Sequence, residues 1–153
     1  MRDRRAYTHR AVSYQFVDTN VLVCAHDVTA GDKHARAKAL VTSLWESENG
    51  CLSTQVLQEF YVTVTRKVAR PLSSEVAAQI IADLAVWRVQ VPDVADVLDA
   101  IELHRRYGTS FWDALVIQSA SRLGCACIWS EDLNPGQAYA GIRVLNPFSA
   151  AES

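Results

Sequence analysis

Short apolar runs recur along this chain between longer segments of helical periodicity, and this alternation limits the fold more than any other feature. The runs are Tyr14–Val17, one opening at Cys51-Leu52, Val89–Val91, Cys125–Trp129 and Gly141–Leu145. Strands this short gain little from pairing alone and need helices packed on them. The intervening segments supply those helices. A short one starts near Val21, and the next runs from Lys33 to Glu48 with Ala37, Leu40, Val41 and Leu44 on one face. Another spans Gln55 to Val68, with Val56, Leu57, Phe60, Tyr61, Val64 and Val68 as its apolar face. Three more run from Ser73 to Val86, from Pro92 to Tyr107-Gly108, and from Ser110 to Leu123. Strands alternating with helices predict right-handed crossovers, hence an α/β fold whose mostly parallel sheet of four to five strands carries helices on both faces.

At 153 residues the chain is sized for one domain. Residues 14–148 hold all the predicted elements; 1–13 form a basic extension expected to be poorly ordered, and 149–153 a tail. A formal net charge of -2 gives no general attraction for nucleic acid, so a polyanionic partner must be held by a local patch. The basic start is followed by no apolar stretch of signal-peptide length. Nothing approaches the roughly 18 apolar residues of a membrane span, so a cytoplasmic protein is expected. Cys24, Cys51, Cys125 and Cys127 lack the paired Cys-x2-Cys spacing of a zinc site and read as small buried hydrophobes in a reducing compartment.

Four carboxylates fall where these elements begin or end, in segments that otherwise read as buried. They are Asp18 in Phe16-Val17-Asp18-Thr19-Asn20, Glu59 in Gln55-Val56-Leu57-Gln58-Glu59-Phe60, Asp113 in Ser110-Phe111-Trp112-Asp113-Ala114, and Asp132 in Ser130-Glu131-Asp132-Leu133. Each has an innocent alternative. Asp18 can cap the helix beyond it. Glu59 can belong to a solvated stripe of Gln55, Glu59, Thr63 and Arg66, touching Thr63 or Arg66. Ser110 and Asp113 match a capping box. Asp132 can be a turn residue before Asn134-Pro135-Gly136, and Glu131 competes for its place. Together, however, two like charges about 4 Å apart repel by about 4 kcal/mol at an effective dielectric of 20. Four in one place call for a compensating cation, and all-oxygen ligands select Mg²⁺ or Mn²⁺.

These segments, in this order, resemble the PIN-domain proteins, specifically the VapC-type toxin ribonucleases of bacterial toxin–antitoxin pairs. The resemblance runs from Tyr14 to Phe148. It implies a three-layer α/β/α sandwich and endonucleolytic RNA cleavage dependent on Mg²⁺ or Mn²⁺. It also implies a homodimer and a cognate antitoxin as partner. By matching position, Asp18, Glu59, Asp113 and Asp132 are the acidic metal-binding set, supported by Asn20 and Ser130. In the expected scheme Asp18, Asp113 and Asp132 hold the metal directly or through water, and Glu59 ligates or orients the attacking water. In-line attack leaves a 5′-phosphate and a 3′-hydroxyl. The long basic extension departs from the family pattern; it is either a tail or the product of a start codon placed too far upstream.

RNA contact requires cations outside the acidic site. Candidates are Arg66, Lys67 and Arg70 after the third helix, and Arg105 and Arg106 before Gly108, each of which can equally be a solvated helix end matching the dipole. His34 is a weaker candidate; His26 and His104 read as surface or loop residues. Trp45, Phe60, Tyr61 and Trp87 are either ordinary core or the wall of a groove for an antitoxin segment. Two other functions compete. A phosphatase or receiver-like phosphotransfer protein also uses a strand-end Asp, but the phosphatase pattern wants a second Asp where Asn20 stands, and no lysine follows Lys67. A PIN-fold module that binds RNA or protein without cutting is the other.

Overall fold

The structure is a computed structural model that describes residues 13–149. The basic stretch 1–12 and residues 150–153, on which the two expected tails fall, lie outside the described residues. β1 (Gln15–Val17) passes through Asp18 into α1 (Thr19–His26), a 3-10 turn (Val28–Ala30) and α2 (Asp32–Ser47). β2 (Gly50–Ser53) runs directly into α3 (Thr54–Arg66), followed by α4 (Ser74–Leu84) and β3 (Arg88–Gln90). Then come α5 (Val94–Tyr107), α6 (Phe111–Arg122), β4 (Cys127–Trp129), β5 (Ala138–Tyr139) and β6 (Ile142–Leu145).

The sheet has six strands in the order β3-β2-β1-β4-β6-β5, one more than the four to five expected. The extra strand is β5, a two-residue edge piece antiparallel to β6; every other pairing is parallel. Its brevity hid it within the turn chemistry of Asn134–Gly136. Several boundaries also move: the helix expected to reach Val68 ends at Arg66, the one expected from Pro92 begins at Val94, and the strand expected from Cys125 begins at Cys127. α4 ends at Leu84 and not at Val86, and β3 begins at Arg88, leaving Val91 exposed beyond it.

The apolar runs are strands because both faces of the sheet are covered. Phe16 and Val17 are fully buried and so is every residue of β2. α1 packs against both α2 and α3, with α4 against α3, while α5 and α6 form a second pair whose α6 lies against β2, β4 and β6. Gly50 shows how tightly the layers meet: a Cβ there would fall 2.4 Å from the Trp87 ring. Trp87 in turn meets Trp45 edge-to-face at 5.5 Å, closing the amino-end edge of the sheet.

The strand order reverses at β1. The chain steps from β1 outward to β2 and β3, then returns through α5 and α6 to β4 on the other side of β1. In parallel α/β sheets such a switch leaves a crevice at the carboxyl ends of the two strands. The loops leaving β1 and β4 begin with Asp18 and Ser130. No helix among the described residues is long and apolar enough to cross a membrane.

Candidate active site

Four elements deliver carboxylates to that crevice. Asp18 ends β1 and caps α1, its Oδ1 accepting the Thr19 N–H at 2.8 Å. Glu59 lies in the second turn of α3, which starts at the carboxyl edge because it follows β2 without a loop. Asp113 sits in the first turn of α6, which precedes β4 and so begins at the same edge. Asp132 follows β4. All four line one open cleft of about 540 Å³.

Hydrogen bonds hold the acids in place. Ser130, fully buried, donates its hydroxyl to Asp18 Oδ2 at 2.8 Å and accepts the N–H groups of Asp132 and Leu133 at 3.1 and 3.2 Å. Asn20 works the same corner, donating Nδ2 to Asp132 Oδ2 at 3.0 Å and accepting the Glu131 N–H on Oδ1 at 3.1 Å. Glu59 takes a hydroxyl from Thr19 at 2.5 Å on one oxygen and the Gln55 amide at 3.1 Å on the other. Asp113 is tied to Ser110, its backbone N–H reaching Ser110 Oγ at 3.1 Å. The reciprocal half of the anticipated capping box does not form, and the Asp113 carboxylate faces the cleft.

These placements bear on the alternatives left open by the sequence. Asp18 is both a helix cap and a cleft residue. Glu59 makes no hydrogen bond or ion pair with Thr63 or Arg66 among the described residues; its hydrogen-bond partners are Gln55 and Thr19. Between the adjacent acids, Asp132 lines the cleft, whereas Glu131 forms an ion pair with Lys33.

The electrostatics follow from burial. Desolvation pushes Asp18 from an ordinary carboxylate value up to about 6, with Ser130 and the Thr19 N–H opposing it and the charges of Asp113 and Glu59 adding to the rise. Asp113 is also raised, chiefly by desolvation and then by Asp132 and Glu59, against the Ser110 hydroxyl. Cys24, also in the lining, is held above its usual value by burial and by Glu131, which keeps its thiol protonated.

Among the described residues, no three His, Cys, Asp or Glu side chains already converge on a point that a metal ion could occupy. The cleft gathers its acids without closing them. Its chemistry nevertheless fits a hard divalent cation: the ionisable donors are carboxylates, the one thiol is protonated, and two acids carry raised pKa values that a positive charge would reverse. Gln55 Oε1 is also buried in the wall of the cleft without a hydrogen-bond partner.

Of the cationic candidates only Lys67 reaches this cleft. It continues the stripe Gln55, Glu59, Thr63 at four-residue spacing; Arg66 and Arg70, the other candidates of this stretch, lie outside the lining. Arg105 pairs with Glu102 at 3.3 Å, and Arg106 stands over Tyr107 at 5.9 Å beside a separate depression shared with Asp99 and Glu102. His34 turns Nδ1 to the Cys24 carbonyl at 2.9 Å. Of the four aromatics, Phe60 and Trp87 are core, while Trp45 and Tyr61 are partly exposed. Sequence reasoning missed Thr19, Gln55 as a buried partner of Glu59, and Trp112, whose indole is 61% exposed on the cleft wall. Helical spacing already sets Gln55 beside Glu59, but on a stripe read as solvated, whereas Gln55 is buried.

The model of the PIN domain matches residues 16–140. No curated protein matches the chain in sequence. Solved structures do resemble it. VapC20 of Mycobacterium tuberculosis, described as a sarcin–ricin loop cleaving toxin, superposes with a TM-score of 0.63 at 24% identity, covering 84% of this chain and 98% of its own. A toxin–antitoxin complex from Klebsiella pneumoniae gives 0.65 at 16% identity, with 90% and 99% covered. A DNA-bound VapBC from Salmonella typhimurium gives 0.60 at 15%, with 89% and 99% covered. At these identities the likeness is one of fold.

Proposed function

Since this chain belongs to the PIN-domain family, we propose that it is a divalent-metal-dependent endoribonuclease acting as the toxin of a type II toxin–antitoxin pair. The observation that carries the proposal is the cleft at the β1/β4 switch point, which Asp18, Glu59, Asp113 and Asp132 line and in which Asp18 is buried at a raised pKa. Asp18, Asp113 and Asp132 are the residues that would hold Mg²⁺ or Mn²⁺. When bound, such a cation polarises a phosphodiester and acidifies a water. The chain does the rest. Ser130 fixes the Asp18 carboxylate and Asn20 fixes that of Asp132, so the donors are oriented before substrate arrives. Glu59, held between Thr19 and Gln55, is placed to accept a proton from the attacking water. Water adds to phosphorus as the P–O3′ bond breaks, leaving a 5′-phosphate and a 3′-hydroxyl. Lys67 supplies positive charge for an RNA phosphate at the lip of the cleft.

The toxin role rests on what the similar structures are described as: a cleaving toxin, a toxin–antitoxin complex and a VapBC assembly. By analogy the protein works in the cytoplasm as a homodimer, restrained by an antitoxin of its own. A PIN-fold module that binds without cutting is the second reading, and what favours it is the absence of a preformed three-acid constellation among the described residues. One assay separates the two. RNA is incubated with the protein with and without Mg²⁺ or Mn²⁺, and again with Asp113→Asn. Divalent-dependent cleavage lost in the variant is the expected result; no cleavage by the unaltered protein with either metal gives the case to the binding module.

A further inference from the structure

Trp112 is the one aromatic side chain lining the acidic cleft among the described residues, and Lys67 its one cation. At 61% exposure it is also the most exposed aromatic of the exposed apolar side chains. An indole left in water at the mouth of a polar cleft forgoes the burial that its neighbours obtain. Phe111, the residue before it, is half-buried against the small cluster of Ala100, Ala114 and Leu115.

The backbone beneath the indole is fixed. Ser110 caps α6 through the Asp113 N–H at 3.1 Å, and the Trp112 carbonyl accepts the Gln55 amide at 3.4 Å. That same amide reaches Glu59 at 3.1 Å, so one side chain ties the indole's backbone to a cleft carboxylate. The Phe111 ring meets the indole at 5.1 Å and 74°, adding a packed contact on the side away from Asp113 in the chain. A rigid, amphipathic plane next to carboxylates attracts neither phosphate nor an acidic peptide. It does suit a nucleobase, whose π-face stacks on an aromatic ring whatever the base.

We propose that Trp112 is the base-stacking platform of this cleft, receiving one unpaired nucleobase of the RNA next to the scissile phosphate while Lys67 holds a phosphate across from it. The assignment rests on the nuclease reading and adds a residue that sets which RNAs are taken. A base must leave its helix to lie on Trp112, so single-stranded segments and loops are bound and paired duplex is not.

The test uses the full chain with EDTA present, so that binding is read without cleavage. A short single-stranded RNA of mixed sequence, its duplex form, and versions with single abasic sites are titrated against unaltered protein, Trp112→Ala and Trp112→Phe. Loss of a stacked base costs roughly 5- to 150-fold in affinity. Trp112→Ala should therefore bind the single strand that much more weakly, and Trp112→Phe should recover most of the loss. One abasic position should penalise the unaltered protein but not Trp112→Ala. Equal affinity of the alanine variant, or an abasic penalty identical in both, overturns the platform. So does a change confined to self-association in sedimentation, which would make the indole a contact between copies. Because cleavage is scored separately with Mg²⁺ or Mn²⁺, failure of the nuclease reading and failure of the platform give different results.

Discussion

Two buried aspartates stand on the same edge of the sheet, and the protein treats them in opposite ways. Asp96, in the first turn of α5, is 1% exposed and Asp18 is 6% exposed. Asp96 accepts from Gln118 and Arg122 at 2.8 Å each, from Gln90 at 2.9 Å and from the Asp93 N–H at 3.0 Å. The Asp93 N–H leads in holding its pKa below the usual carboxylate range, despite desolvation. Asp18 has a hydroxyl and one N–H, no cation, and further acids beside it, and its pKa rises to about 6. Burial therefore does not mark a carboxylate as functional. The difference lies in the partners: Asp96 has a full set and pins β3, α5 and α6 together, whereas Asp18 is left short of positive charge.

The largest test of this contrast is activity. Asp18→Ala should take divalent-dependent RNA cleavage to background, while Asp96→Ala should lower Tm and leave cleavage by the folded protein intact. If the two variants lost activity equally, the division into a structural and a functional acid would be wrong.

Stability offers the next test, with opposite signs at the two sites. An acid whose folded pKa is raised keeps its proton more tightly in the native state, so stability falls as pH climbs from about 4 to 6 and stays lower above. For Asp18, moved from 3.8 to about 6, the deficit at pH 7 is of order 3 kcal/mol in metal-free protein. Chemical denaturation in EDTA should show Asp18→Asn more stable than the unaltered chain at pH 7, with the gap closing towards pH 4. Asp96 has a lowered pKa, so its contribution should fade as pH falls through the acid range. Asp96→Asn should be the less stable variant at pH 7.

Slightly smaller is the response to metal. Saturation to about 100 times Kd stabilises a native state by about 2.7 kcal/mol. Mn²⁺ should raise the Tm of the unaltered protein and of Asp96→Asn, but not that of Asp18→Asn. A Mn²⁺ shift surviving in Asp18→Asn would place the cation elsewhere.

The smallest effect separates the neighbours Glu131 and Asp132. Glu131 pairs with Lys33 at the surface, where solvent screening leaves such a pair worth little. Glu131→Gln should barely change either Tm or cleavage, whereas Asp132→Asn should slow cleavage.

The alternation of runs and helices made the parallel sheet legible, because burial on both faces writes apolar strands and periodic helices into the sequence. The edge strand β5 was not legible, since Ala138 and Tyr139 carry no pattern that two residues could show. All four cleft acids were visible as polar interruptions of apolar segments. Asp96 was not, because an acid in a first helical turn is ordinary there, and only its distant partners Gln118 and Arg122 reveal it as buried. Lys67 rather than Arg66 faces the cleft because four-residue steps keep to the Glu59 side of α3. Trp112 was hidden by composition: an aromatic in an apolar run reads as core.

The sheet's outer strands decide how other chains can approach. β3 is three residues long and β5 two, at opposite edges of the ladder. Edges that short expose too few free N–H and C=O groups to template another strand. Within the described residues, edges this short favour docking on helices and loops over extension of the sheet. The same brevity protects the protein from edge-to-edge aggregation when it is made in excess.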